Sequence, residues 1–100
     1  MLIVTGTMSV PPTDLADFVA ALRDLAVATR RRDGNLSYDA AILDASAGQL
    51  LVVERWRDQA ALSAHLTAED TTEFVRRWQD RMSGDIRKYD ATNERPLSDE

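Results

Sequence analysis

Three features of this 100-residue sequence predict an α+β fold: a four-stranded antiparallel sheet with helices on one face. Four short runs carry β-branched or alternating apolar residues, as strands do. Two longer stretches carry apolar residues at helical spacing. Prolines, glycines and polar clusters separate these runs into the order strand, helix, strand, strand, helix pair, strand. That order is a split βαβ repeat, the ferredoxin-like arrangement.

The elements follow in turn. Leu2 to Met8 reads as the first strand, stopped by Pro11 and Pro12. Pro12-Thr13-Asp14 opens a helix. Leu15, Phe18, Val19, Leu22, Leu25, Ala26 and Thr29 share its buried face. Arg30-Arg31-Arg32 complements the negative end of the helix dipole, and Gly34 is the expected C-terminal cap. Asn35 to Leu43 alternates, with Leu36, Tyr38, Ala40 and Ile42 on one side. Asp44 to Gly48 turns the chain, and Gln49 to Trp56 completes a hairpin. Asp58 caps a short helix through Leu66. Thr67-Ala68-Glu69-Asp70 resembles a capping box, with Asp in place of Glu, opening a helix striped by Phe74, Val75, Trp78 and Met82. Ser83-Gly84 ends that helix, and Ile86 to about Asn93 is the last strand. The closing ERPLSDE is polar and expected to fray. A single domain over residues 1–95 with a flexible tail over 96–100 results.

The strand Gln49–Trp56 is apolar on both faces. Leu50, Val52 and Trp56 lie on one and Leu51 and Val53 on the other. An antiparallel sheet with one wet face would alternate cleanly. The helices cover only one face, so a second copy of the chain is expected over the other: a homodimer with two sheets packed face to face.

Composition excludes several function classes. The net charge of −5 gives no concentrated basic face for nucleic acid. The absence of cysteine removes disulfides, thiolate nucleophiles and zinc-thiolate sites. One histidine cannot build a multi-histidine metal centre within one chain, and no metal is expected. The start MLIVTGTMSV has neither a basic leader nor a long apolar run, so no membrane association is expected and the location is expected to be cytoplasmic.

The stretch VVERWRDQAALSAHL, Val52 to Leu66, places an indole at a strand end and the only histidine one helix later. His65 falls one turn from Ala61 and beside Leu62 and Leu66, at the margin of a buried stripe. It is the one side chain with an ordinary pKa near neutrality and can serve as a base or as a structural hydrogen-bonding group. Trp56 suits core packing or a ring platform. Tyr38 suits the core or a pocket donor. Trp78 is assigned to the core. Glu54 lies on the Trp56 face and is expected to pair with a neighbouring arginine.

The pattern Gly34, Tyr38, Glu54-x-Trp56 and His65-Leu66, with the first strand and Phe74, resembles the antibiotic biosynthesis monooxygenase family over roughly residues 1–95. The resemblance implies a dimeric α/β barrel with a pocket in each subunit between sheet and helices. It also implies cofactor-independent oxygenation of phenols, quinols or anthrones, with dioxygen as co-substrate. Trp56 matches the pocket tryptophan, and His65 matches a histidine common in the quinol-oxidising subgroup. Anthrone-oxidising members carry asparagine where Val52 stands. Haem-degrading members differ at Thr7, His65 and Val75, so haem degradation is not expected.

Such chemistry needs a base, a dry hollow for an aromatic ring and donors for an anion. His65 is therefore the candidate catalytic residue. Trp56, Tyr38, Phe74, Thr7 and Val52 are the candidates for binding a small aromatic substrate. Thr5 and Arg55 are further donors, but strand parity places Arg55 on the face away from Trp56. Two other functions fit the same residues: a cofactor-free cyclase or isomerase of a polyketide-like substrate, and a non-catalytic ligand-binding dimer.

Overall fold

The computed structural model describes residues 1–99. Four strands form one antiparallel sheet: β1 (Leu2–Ser9), β2 (Asn35–Asp44), β3 (Gln49–Trp56) and β4 (Ser83–Asp90), in the spatial order β2-β3-β1-β4. A 3-10 turn at Pro12–Asp14 leads into α1 (Leu15–Arg30); α2 (Gln59–Thr67) and α3 (Glu69–Trp78) follow β3. This is the predicted α+β, ferredoxin-like topology. No helix among the described residues is long and apolar enough to cross a membrane.

Side-chain parity on β1 and β3 decides what faces the helices. Leu2 pairs with Trp56 and Val4 with Glu54. These residues, with Leu50 and Val52, are buried on one face. From α1, Leu15, Phe18, Leu22, Leu25, Ala26 and Thr29 are buried, as the spacing predicts, with Val19 half-buried. Trp78 is fully buried against Phe18, ring centroids 5.0 Å apart, and belongs to the core. The opposite sheet face carries Leu51 and Val53, each 38 % exposed.

Several boundaries differ from the expectations. Helix α1 ends at Arg30, and Gly34 lies beyond it in the turn to β2, where φ of +83° and an acceptor role towards Arg57 N at 2.8 Å explain the glycine. In β2 only Tyr38 of its expected inward set is buried. Leu36 falls in a register shift between Asn35 and Ser37, and β2 is an edge strand. The capping box does not form. Ala68 precedes α3, while the Thr67 hydroxyl donates back to the Ser63 carbonyl at 3.1 Å, a bond that competes with capping. Val75 is exposed rather than part of the α3 stripe. Ser83 and Gly84 are the first residues of β4, paired with Ser9 and Met8, not a helix stop.

Gly48 holds the hairpin turn against Val10. Its φ is +65°, its carbonyl accepts from Val10 N at 3.0 Å, and an added Cβ would overlap the Val10 carbonyl oxygen. Gly48→Ala is expected to lower stability by at least about 1–2 kcal/mol, the scale of the left-handed penalty alone. A urea midpoint equal to that of the unsubstituted chain would contradict this.

Candidate active site

The end of β3 and the last turn of α2 bring two rings together. Trp56 closes the strand facing the helices, and Asp58 starts α2 by accepting from Ala61 N at 2.9 Å. One turn after Ala61, His65 points back at the sheet. The indole and imidazole stack with centroids 4.9 Å apart and planes at 30°. Tyr38, inward on β2, meets the imidazole edge-on at 5.9 Å and 68°. Trp56 is 0 %, His65 4 % and Tyr38 5 % exposed. The two rings expected to converge therefore do so, away from bulk water.

A polar shell surrounds them. Glu54 shares a face with Trp56 because they are two apart on one strand. Its Oε1 accepts from Trp56 Nε1 at 2.9 Å, so its partner is the indole and not the expected arginine. On the other side, Arg32 Nε donates to His65 Nδ1 at 3.1 Å, and the Thr71 hydroxyl lies 3.3 Å from the same nitrogen. The Arg32 guanidinium also pairs with the Asp70 carboxylate, which in turn accepts from Thr71 N at 2.9 Å.

This environment displaces the titrating groups. Burial, and then the Arg32 charge, push the His65 imidazole down from 6.5 to about 4, with Asp70 acting in the opposite sense. His65 is therefore neutral at pH 7. Burial raises the Glu54 carboxyl above its ordinary range, against the pull of the Trp56 N–H. Burial, and then the nearby Glu54, hold the Tyr38 phenol well above its ordinary range, so it remains a donor. His65 Nδ1 accepts from Arg32, and Nε2 has no hydrogen-bond partner among the described residues.

The remaining expected site residues divide. Val52 is 1 % exposed on the same sheet face, apolar and two residues from Glu54. Thr7 pairs with Leu51 on the opposite face, because it lies five positions after Leu2 and the odd offset inverts its direction. Thr5 shares that face and bonds the Val52 carbonyl at 2.9 Å. Arg55 also lies there, bonded to Ser37 Oγ at 2.9 Å and Glu94 at 2.8 Å. Phe74 belongs to a second aromatic group with Phe18, at 5.5 Å, and Trp78, between α1 and α3. It does not join Trp56.

Arg32 is the residue that sequence reasoning missed. The basic run offered a helix-dipole role for all three arginines; Arg30 ends α1 and donates to the Tyr38 carbonyl at 3.0 Å, Arg31 is the C-cap, and Arg32 turns to the imidazole. Clefts open beside the ring pair rather than on it. One of about 380 Å³ lies between α1 and α3 over Leu25, Phe74 and Trp78. Another of about 430 Å³ is walled by Arg32, Arg57 and the alanines of α2. A third, beside Asp70 and Glu73, again has Arg32 in its wall. Arg32 thus stands between the imidazole and two outer clefts. Among the described residues, no group of three or more His, Cys, Asp or Glu is placed to hold a metal ion.

Comparison with known proteins adds family evidence. The sequence matches the family model described as antibiotic biosynthesis monooxygenase over residues 1–82. A solved Deinococcus radiodurans protein, provisionally named an antibiotic biosynthesis monooxygenase, superposes with a TM-score of 0.88 at 26 % identity, covering 99 % of this chain and 100 % of that one. A second structure, described as an antibiotic biosynthesis monooxygenase, gives 0.82 at 26 % identity over 93 % and 100 % of the two chains. A Mycobacterium tuberculosis protein, Rv0793, shares the fold at a TM-score of 0.78 and 22 % identity, over 94 % and 98 %. A search of curated proteins finds no significant match.

Proposed function

The chain belongs to the antibiotic biosynthesis monooxygenase family, and from that premise we propose that it oxygenates a phenolic, quinol- or anthrone-like aromatic with dioxygen and no cofactor. The observation that carries this reading is the buried Trp56–His65 stack, with Tyr38 against the same imidazole.

The substrate supplies the electrons. Deprotonation converts a phenol into an anion that can reduce dioxygen, and a carbon–oxygen bond then forms at a ring carbon. One oxygen atom remains as a new carbonyl and the other leaves as water, which balances the four electrons lost by the ring. His65 takes the phenolic proton at Nδ1 when the Arg32 N–H gives way to the substrate, and Trp56 and Tyr38 then flank the substrate ring. The dry surroundings strengthen every hydrogen bond to the anion. Thr7, on the outer sheet face, and Phe74, in the cleft between α1 and α3, are set apart from these rings.

With a panel of phenols, quinols and anthrones, oxygen uptake is expected and removal of dioxygen abolishes turnover. His65→Ala is expected to lower turnover by roughly 10²-fold or more, the scale of a positioned base. Undiminished turnover in that variant would remove His65 from the role. Conversion of a polyketide-like substrate without oxygen uptake would instead identify a cyclase or isomerase. A non-catalytic ligand-binding dimer is a second reading, favoured by the clefts that open beside the ring pair and not on it. Its signature is ligand binding with neither oxygen uptake nor product.

A homodimer packed through the outer sheet face is part of the proposal. Leu51 and Val53 there are 38 % exposed, and the edge strand β4, on the far side of β1, adds Tyr89 at 52 %. Covering this apolar surface favours association. Light scattering at micromolar concentration is expected to give twice the chain mass, and a monomer would contradict the assignment.

A further inference from the structure

The three consecutive arginines have different environments. Arg30 and Arg31 are exposed, whereas Arg32 is half-buried, with a side chain 20 % exposed. It crosses from the end of α1 to the start of α3 over the imidazole. Its Nε–H meets His65 Nδ1 at 3.1 Å and its NH2 group holds Asp70, with Thr71 Oγ1 at 3.5 Å. A guanidinium has five donors and no acceptor. The nitrogen it faces must therefore present a lone pair. The Thr71 hydroxyl can accept from Arg32 and donate to Nδ1, so both neighbours favour the same ring form. The other groups around the ring, Tyr38 and Trp56, meet it through their aromatic systems.

We propose that Arg32 is a positioning residue that fixes His65 as the Nε2–H tautomer, so that the closed site offers a hydrogen-bond donor, and that withdrawal of Arg32 frees Nδ1 to accept a proton. The second clause rests on the oxygenase reading; the first does not. The placement of Arg32 in the walls of two clefts connects withdrawal to entry. A substrate passing between α1 and the start of α3 would displace the Arg32–Asp70 pair and unmask the base in one movement. Asp70 and Thr71 are held to each other independently of the ring, through the Thr71 N–H, so the anchor for Arg32 persists when the ring is released.

Because the chain has one histidine, the imidazole nitrogens of the full ¹⁵N-labelled protein report His65 alone. At pH 7 the unsubstituted protein is expected to show a protonated Nε2 and a bare, hydrogen-bonded Nδ1. Arg32→Met keeps the length and removes the donor. It is expected to mix the two tautomers and to move the ring's titration midpoint up by about one pH unit, the scale of removing a nearby like charge. An Nδ1–H ring in the unsubstituted protein overturns the proposal, and that measurement decides the matter even if Arg32→Met does not fold. An unchanged tautomer and midpoint in folded Arg32→Met overturn it as well. Oxygen uptake is read separately. Turnover of phenols with an unmoved tautomer defeats this inference alone, whereas a moved tautomer with no substrate turned over defeats only the oxygenase reading.

Discussion

Trp56→Ala is expected to destabilise the fold by about 3–5 kcal/mol, the range for truncating a large buried aromatic. Trp56 is fully buried, stacks on His65 and sits where the end of β3 meets α2. Truncation opens a void between sheet and helices and also strips Glu54 of its hydrogen-bond donor. Small domains have about 5–15 kcal/mol of stability in all, so the loss brings this one near its unfolding threshold. Trp56→Phe lessens the first effect and keeps the second. It retains one ring, leaves a smaller void and removes the N–H, which alone costs about 1–3 kcal/mol for the orphaned acceptor. Without that donor, burial acts on Glu54 unopposed and its carboxyl moves further towards protonation. Urea unfolding followed by the remaining Trp78 fluorescence measures both. A loss below about 1 kcal/mol in Trp56→Ala would mean the ring pair is not part of the core.

The second large effect is a loss of stability in mild acid. His65 is held at about 4 in the fold against 6.5 when unfolded. Between those values the unfolded chain binds more protons, so stability rises with pH through this window and is lost as pH falls through it. At 1.36 kcal/mol per pH unit the full loss is on the order of 3 kcal/mol. Glu54 works in the opposite direction. Its folded value is raised, so its contribution is present in acid and declines as pH rises. Glu54→Gln should therefore steepen the acid slope, and His65→Gln should flatten it. The exposed carboxylates Asp33, Asp44 and Asp58 are all lowered, and they act only below the ordinary carboxylate range. Unfolding free energies between pH 4 and 7 check the sign. Equal slopes in the unsubstituted chain and His65→Gln would show that the imidazole is not held neutral by the fold.

The element order was legible in the sequence because short-range signals set it. Pro11-Pro12, the Asp44–Gly48 turn and the Asp58 cap each act within a few residues. The α1 face was legible for the same reason, since helical spacing alone decides which residues share a side. The misread boundaries were those where a local signal had a competitor. Thr67 found a carbonyl one turn back, and Ser83-Gly84 found β1. Leu36 was misplaced because a bulge breaks the period-two rule, and the bulge exists only in pairing with β3.

By itself the sequence determined which side of β1, β3 and α1 is apolar, and that Trp56 and His65 end adjacent elements aimed at one core. Distance and partner choice were decided by tertiary structure. Thr7 is an apt donor by type, yet it faces away from the rings because parity on β1 is counted from Leu2. Glu54 bonds an indole two residues away, and Arg32 reaches His65 across 33 positions of chain. Hydrogen bonds and charge effects act over a few ångströms of space irrespective of sequence separation. The chemistry of the imidazole is therefore set by neighbours that only folding supplies.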